Sequence, residues 1–189
     1  MVGAAAAAPL VTVAVALAVV GVGVGIVVTR TGSGSPSAPK TTTTAPATTL
    51  LTQSGLEELA RTLGRPLFWV GPQPGADYEL TSSPDGRLFL RYLPAGSKAG
   101  AQGNYLSVGT YPFANAYAAT VRAAGRQGFA QLNAGPGAAA VYAQGRPTNV
   151  FLAFQNLNYQ IELFHPQAAE ARRLVVERHV VPVAPQPGG

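Results

Sequence analysis

Residues 78–93, YELTSSPDGRLFLRYL, contain the clearest structural signal in the chain. Two segments rich in large apolar and aromatic residues flank Pro84-Asp85-Gly86, a turn sequence typical of a β-hairpin. Antiparallel strands are therefore predicted at 78–81 and 88–93, as the centre of a larger antiparallel sheet. The other strand-like segments are residues 67–70, 105–110, 139–143, 150–154, 159–163 and 179–183.

Three amphipathic segments are predicted to be helices that cover this sheet. The first follows a capping box at Ser54-Gly55-Leu56-Glu57 and ends at Gly64. The second begins at Pro112, and the third spans 166–176. The order of elements predicts an α+β fold, an antiparallel sheet with the helices packed on one face. The apolar face expected for the second helix consists of Phe113, Ala116, Tyr117, Thr120, Val121 and Ala124.

The two halves of this folded part share an order of elements. Leu63-Gly64-Arg65 matches Ala124-Gly125-Arg126, and Leu88-Phe89-Leu90 matches Val150-Phe151-Leu152, at an offset of 61–62 residues. Two interpretations stay open. Either the domain consists of two duplicated α-β-β-β units, or a chain rich in Gly and Ala produces these matches by coincidence.

The N-terminal segment resembles a membrane span. Residues 10–28, LVTVAVALAVVGVGVGIVV, carry no charge, and Thr12 is their one polar side chain. A helix of this length spans about 28 Å, close to the thickness of the hydrocarbon core. Residues 1–28 are therefore predicted to be a transmembrane signal anchor. A cleaved signal peptide is the alternative, but the A-x-A sequence at 45–47 lies far beyond the apolar run.

The following segment, residues 29–51, is rich in Thr, Ser and Pro and is predicted to be a disordered linker. It precedes an α+β domain at 52–184 and a disordered tail at 185–189. Arg30 and Lys40 both lie on the C-terminal side of the span, and no Lys or Arg lies on its N-terminal side. By the positive-inside rule this favours an internal position for the C-terminal domain. The linker composition, typical of extracellular stalks, favours the opposite orientation. A single-pass cell-membrane protein with an extracytoplasmic C-terminal domain is predicted.

Charge and cysteine content exclude several function classes. The chain has 13 basic and 8 acidic residues, and the basic residues form no stripe interleaved with aromatics. Nucleic acid is therefore not a predicted partner. The absence of cysteine excludes disulfides, thiolate metal sites and a cysteine nucleophile. Two histidines, far apart in sequence, provide no metal-ligand spacing, and no cofactor is predicted.

The sequence contains no G-x-S-x-G, Walker or H-E-x-x-H motif, but it does contain residues suited to recognition. Tyrosine and tryptophan combine apolar bulk with a polar tip, and arginine offers planar hydrogen-bond donors; all three are common in binding hot spots. The predicted binding residues are Trp69, Arg91, Tyr111 and Arg146.

Several segments are similar to a family of uncharacterised, membrane-anchored, extracytoplasmic actinobacterial proteins. These are 64–72, 85–94, 108–112 and 146–150, within a resemblance that covers residues 56–183. The resemblance implies an exterior, bacterial location and carries no catalytic assignment.

Three functions are compatible with this sequence. The leading hypothesis is a non-enzymatic binding or interaction domain whose partner is an envelope protein or glycan. The alternative is a cell-envelope hydrolase that uses converging carboxylates such as Asp77, Glu79 and Glu162. A transmembrane sensor is disfavoured because nine residues precede the apolar run.

Overall fold

The hairpin predicted at residues 78–93 is confirmed, within a larger antiparallel sheet. The structure, a computed structural model, describes residues 47–184. Within this range eight strands form one antiparallel sheet, and two short strands form a separate ribbon. In chain order the strands are β1 (Ala47–Leu51), β2 (Phe68–Trp69), β3 (Ala76–Ser82), β4 (Leu88–Pro94), β5 (Ser107–Pro112), β6 (Phe129–Leu132), β7 (Ala138–Ala143), β8 (Asn149–Phe154), β9 (Tyr159–Phe164) and β10 (Val181–Pro182).

Helices interrupt the strands at three points in the described range, which confirms the predicted α+β class. The large sheet has the strand order β1-β3-β4-β5-β9-β8-β7-β6, and the ribbon pairs β2 with β10. The helices are α1 (Gln53–Thr62), α2 (Ala116–Ala124) and α3 (Ala168–Val176).

One face of the sheet, which we call the core face, packs into the main hydrophobic core. Because successive side chains of a strand point to opposite faces, Leu90 of β4 and Ile161 of β9 lie on this face and are fully buried. Leu56 of α1 and Leu174 of α3 join the same cluster. Phe68 of the ribbon also packs there, and its backbone N–H donates to Thr110 Oγ1.

The other face, which we call the back face, is covered in part by α2. Ala139 of β7 and Ala153 of β8 are buried there, beneath the buried alanines of α2. Gln160 of β9 donates to Thr120 of α2, and this glutamine points away from its core-face neighbour Ile161. The expectation that all helices pack on one face is therefore wrong: α1 and α3 lie on the core face and α2 lies on the back face.

The buried side of α2 agrees only in part with the side predicted from periodicity: Ala116 and Thr120 are buried as predicted, whereas Val121 and Phe113 are not. Pro112 belongs to β5, and the helix begins at Ala116. Val121 is 48% exposed and Phe113 is 36% exposed. Small residues instead make the contact, because the two alanines of the sheet below leave room for a close approach of the helix. The buried residues of α2 are Ala116, Ala119, Thr120 and Ala123.

Both ends of the first helix depend on specific backbone contacts. The N-cap is Thr52, whose hydroxyl accepts from the Gly55 N–H, so the helix begins earlier than the capping box predicts. Gly64 follows the helix in the left-handed conformation, as expected. Strand β1 begins at Ala47, inside the segment 29–51 predicted to be linker. The folded part therefore begins five residues earlier than predicted.

The two halves of the domain keep the same chain order but differ in three dimensions. Strands β3-β4-β5 and β7-β8-β9 lie on either side of the β5–β9 pairing. However, β2 lies outside the large sheet whereas β6 belongs to it, and α1 and α2 cover opposite faces. An origin by duplication stays a prediction.

The predicted anchor at 1–28, most of the linker and the tail at 185–189 lie outside the described residues. Within residues 47–184, no helix has the length and apolar character needed to cross a membrane.

Candidate functional site

The middle of the back face carries a group of half-buried polar and aromatic side chains. They lie on β4, β5, β8 and β9, between the part of the face that α2 covers and the part covered by the loop of residues 95–106. Strand register brings them together, since Phe89 faces Gly109, Gly109 faces Glu162, and Glu162 faces Phe151. We call this group the central strip: Phe89, Tyr111, Asn149, Phe151, Glu162 and Phe164.

Glu162 is the charged residue of the central strip. Its Oε2 accepts from the Tyr111 hydroxyl at 2.7 Å, and its Oε1 accepts from Asn149 Nδ2 at 2.7 Å. Each oxygen therefore has one donor from a neighbouring strand. A carboxylate offers about four acceptor positions, so Glu162 keeps acceptor capacity for a further donor.

Gly109 makes the Tyr111 contact possible. A Cβ atom at Gly109 would lie 2.2 Å from the Tyr111 hydroxyl oxygen, so any larger residue would displace the phenol. The tyrosine ring lies back over this glycine and beside Phe89, with ring centroids 5.4 Å apart. The ring position thus depends on both a missing side chain and an aromatic neighbour.

The Tyr111 phenol is a stable proton donor. Burial, reinforced by the adjacent Glu162 carboxylate, raises the pKa of Tyr111 well above its usual value of 10.0. The phenol therefore stays protonated at neutral pH, and the hydrogen bond runs from tyrosine to carboxylate.

An ion pair between the buried Glu79 carboxylate and the partly exposed Arg91 guanidinium holds the loop of residues 95–106 beside the central strip. Glu79, only 2% exposed, accepts from Arg91 Nη1 at 2.5 Å and from the Gly100 N–H. Arg91 also donates to the Ala101 carbonyl, and its guanidinium lies 5.2 Å from the centroid of the Tyr105 ring. These contacts hold the loop against β3 and β4.

The four predicted binding residues occupy different environments. Trp69 lies in the core, 7% exposed and packed against Tyr78, so its side chain contributes to packing. Arg91 braces the loop through Glu79, and Tyr111 is part of the central strip. Arg146 is exposed in the turn between β7 and β8, at the end of the sheet where Asn149 begins β8. The structure therefore brings one of the four, Tyr111, into the central strip.

Glu162 is separated from the other two carboxylates of the alternative hydrolase hypothesis, whereas Asp77 and Glu79 lie two residues apart on the same face of β3, and each accepts from a backbone N–H of the loop of residues 95–106. Asp77 and Glu79 lie on β3, whereas Glu162 lies on β9, three strands away in the sheet. At about 4.8 Å per strand this separates their backbones by at least about 14 Å, beyond the roughly 5–10 Å of paired glycosidase carboxylates. Residues 47–184 contain no group of three or more His, Asp or Glu side chains placed to hold a metal ion.

A depression lies apart from this site, at the hairpin between β6 and β7. It is open to solvent, with a volume of about 430 Å³, and is formed by Leu132, Ala138 and the loop between them. The Arg178 side chain packs against Gly135 in this loop. No titratable side chain lines the depression, which gives it no evident chemistry.

Sequence reasoning did not identify Asn149 or Gly109 as part of a site. Both become important only through the β8–β9 and β5–β9 registers, which place them beside Glu162. One usable signal was present: Glu162 is a single charged residue between Ile161 and Leu163, so alternation alone puts it on the opposite face from those two. Scans of the chain against protein-family models, curated proteins and solved structures matched no family and no similar protein or fold.

Proposed function

We propose that this protein is a non-enzymatic, extracytoplasmic binding domain that is tethered to the cell membrane and binds an envelope glycan at the central strip. The observation that supports the binding site is the half-buried carboxylate of Glu162. It is held in place by two neutral donors, Tyr111 and Asn149, and is surrounded by aromatic rings.

The chemistry of the central strip fits a polyhydroxylated ligand. Binding sites combine apolar surface with a few oriented polar groups. The rings of Phe89, Phe151 and Phe164 offer apolar surface for the C–H faces of a sugar, and Glu162 offers acceptor positions for its hydroxyls. Tyr111 and Asn149 fix the carboxylate before the ligand arrives, which lowers the entropy cost of binding.

Location and membrane attachment in this proposal rest on the sequence. The apolar run at 10–28 and the Thr/Ser/Pro-rich segment after it support them. The hydrolase alternative stays a prediction: Glu162 lies three strands from Asp77 and Glu79, and these two carboxylates accept from backbone N–H groups of the loop of residues 95–106.

The test is binding of purified full-length protein, in nanodiscs, to a panel of cell-envelope polysaccharides. We expect one class to bind, and Glu162→Gln to weaken that binding about tenfold or more, the equivalent of about 1.4 kcal/mol. The matched control is Glu170→Gln, because Glu170 is a partly exposed acid on α3, paired with Arg173 and outside the central strip.

Two results would overturn the glycan proposal. One is equal binding by the Glu162→Gln and Glu170→Gln proteins. The other is in-cell crosslinking that captures a single envelope protein, with the capture lost in Glu162→Gln; the strip is then a protein interface. A Trp69→Ala protein is unsuitable as a probe, because loss of a buried core side chain disturbs folding.

A further inference from the structure

The charges of the described residues are unevenly paired. No acidic residue occurs from 86 to 161, a stretch that contains six basic residues. Two of them have acidic partners outside the stretch: Arg87 pairs with Asp85, and Arg91 pairs with Glu79. The other four make no ion pair within residues 47–184 and are exposed: Lys98, Arg122, Arg126 and Arg146.

Three of these arginines come together at one end of α2. Arg122 lies in the last turn of the helix, and Arg126 follows the helix directly. Arg146 lies in the β7–β8 turn, which adjoins the start of β6, since the Gln144 N–H donates to the Gly128 carbonyl at 2.8 Å. The cluster carries three positive charges with no compensating acid on α2, β6, β7 or β8.

Exposed apolar side chains accompany these arginines on α2. Val121 is 48% exposed and precedes Arg122, Phe113 is 36% exposed just before the helix, and Ala118 is exposed between them. Binding of a helix to a membrane interface increases with the apolar area that it buries and with its electrostatic attraction to anionic lipids, and the outer side of α2 supplies both kinds of side chain. We call Phe113, Ala118, Val121, Arg122, Arg126 and Arg146 the α2 surface.

We propose that the α2 surface docks the folded domain onto the anionic headgroups of the membrane to which the chain is anchored. Each Arg held near such a surface adds electrostatic attraction, and the apolar side chains enter the boundary between headgroups and acyl chains. The occupant is a bilayer because its charge is complementary to the three arginines and because the predicted anchor keeps a bilayer nearby.

The length of chain outside the structure permits this contact. Eighteen residues, 29–46, separate the predicted span from the first residue of β1. Fully extended they reach about 60 Å. Strand β1 lies six strands from β7 in the sheet, about 29 Å, so the tether is long enough for the α2 surface to meet the bilayer.

The absence of cysteine allows a direct test on the full-length protein. Val121→Cys on α2 and Val176→Cys on α3 provide matched labelling sites, since each valine is 48% exposed and the two helices lie on opposite faces. Each variant is labelled with an environment-sensitive dye and placed in nanodiscs of phosphatidylcholine alone or mixed with phosphatidylglycerol. The readout is quenching by acrylamide, which carries no charge.

We expect the mixed bilayer to reduce quenching at position 121 several-fold and to leave position 176 unchanged. About 1 M NaCl should restore the quenching, because the Debye length is then only about 3 Å. Combining Arg122→Gln, Arg126→Gln and Arg146→Gln should remove the protection. The control combination, Arg61→Gln, Arg173→Gln and Arg178→Gln, removes the same charge elsewhere and should keep it.

Three outcomes would overturn the proposal. Equal protection at 121 and 176 would show that docking has no preferred face. Protection at 121 that is unaffected by phosphatidylglycerol and salt would exclude an electrostatic contact. Protection that rises with protein concentration in detergent micelles would assign the α2 surface to a second copy of the chain. The central strip is not involved, so Glu162→Gln should leave the docking signal unchanged.

Discussion

The two halves of the sheet present different residues at the same place on the back face. In the N-terminal half Glu79 of β3 faces Arg91 of β4, and in the C-terminal half Ala139 of β7 faces Ala153 of β8. The two places correspond because Arg91 follows Phe89 by two residues and Ala153 follows Phe151 by two, and the internal offset of 62 aligns these two phenylalanines. A fastened loop covers the charged pair, and helix α2 covers the alanine pair.

This difference shows that side-chain size and charge at a pair of positions decide what covers a sheet. Two alanines leave a flat surface that a helix of small residues can approach closely. A buried carboxylate and the partly buried guanidinium beside it must instead be satisfied by hydrogen bonds. The backbone of a loop supplies such partners, here the Gly100 N–H and the Ala101 carbonyl.

The largest expected effect comes from breaking the ion pair. Arg91→Ala leaves Glu79 buried without a cationic partner, and we expect the free energy of unfolding to fall by about 3–5 kcal/mol. The double variant Glu79→Ala with Arg91→Ala places two alanines there, like the Ala139–Ala153 pair of the other half. It should lower the free energy of unfolding by less than Arg91→Ala alone. Urea unfolding of residues 47–184 measures both.

The control for this prediction is Arg87→Ala, which removes an arginine from the exposed pair with Asp85. It should cost less than about 1 kcal/mol. If Arg91→Ala costs no more than Arg87→Ala, the ion pair does not hold the N-terminal half together.

The next effect tests the alanine pair. Ala153 is fully buried beneath α2, so Ala153→Leu overpacks the contact and should lower the free energy of unfolding by about 1–3 kcal/mol. Ala118→Leu makes the same change on the exposed side of α2 and should stay within about 0.5 kcal/mol. Similar denaturation midpoints for the two variants would show that α2 does not depend on the small residues below it.

Alkaline pH should destabilise the N-terminal half through two tyrosines. Burial raises the pKa of Tyr92 on β4, and burial together with Glu162 raises the pKa of Tyr111 on β5. The folded state therefore binds more protons than the unfolded state above pH 10, and stability is lost as pH rises. Between pH 10 and 11 each phenol should cost about 1 kcal/mol.

Urea unfolding at a series of pH values measures this loss, and Tyr111→Phe should remove one phenol's share of it. Ionisation of tyrosine, followed by ultraviolet absorbance, should show phenols that ionise only on unfolding, and one fewer of them in Tyr111→Phe. An identical pH dependence in the wild-type and Tyr111→Phe proteins would contradict the prediction.

The smallest effect compares the glycines that end the first two helices. Gly64 has a φ of +63°, whereas Gly125 has a φ of −82°, although both stand in a Gly-Arg sequence. A Cβ atom meets nothing within 4 Å at Gly64, so Gly64→Ala reports backbone strain alone and should cost about 1 kcal/mol. Gly125→Ala should be neutral or slightly stabilising. Thermal unfolding of both variants measures the two losses of stability. Equal losses would contradict the prediction that only the Gly64 position requires a positive φ.

Sequence patterns located most strands but not the face that each helix covers. The turn at Pro84-Asp85-Gly86 and the alternation around it were sufficient for the hairpin. For α2, periodicity favoured the side with Tyr117 and Val121, because large apolar residues dominate such patterns. The packing kept Ala116 and Thr120 of that side but buried Ala119 and Ala123 in place of Val121, since the surface below them includes the alanines of β7 and β8.

The candidate site was predicted only in part, for a related reason. Tyr111 was recognisable as a residue type suited to binding. Its contact with Glu162, and the contact of Glu162 with Asn149, join residues 51 and 13 positions apart. Local pattern does not specify such proximity, because it depends on which strands pair and in which register.

By itself, the sequence determined the α+β class, the central hairpin, the first helix stop at Gly64 and the absence of thiol chemistry. These features depend on composition and on local backbone preference, which is determined by residues close together in the sequence. The tertiary structure alone decided that α2 lies on the back face, that Trp69 is buried, that Arg91 is paired with Glu79 and that Glu162 stands apart from the other carboxylates. Each of these follows from pairing and packing between residues distant in sequence, where the size of an opposing side chain determines the outcome.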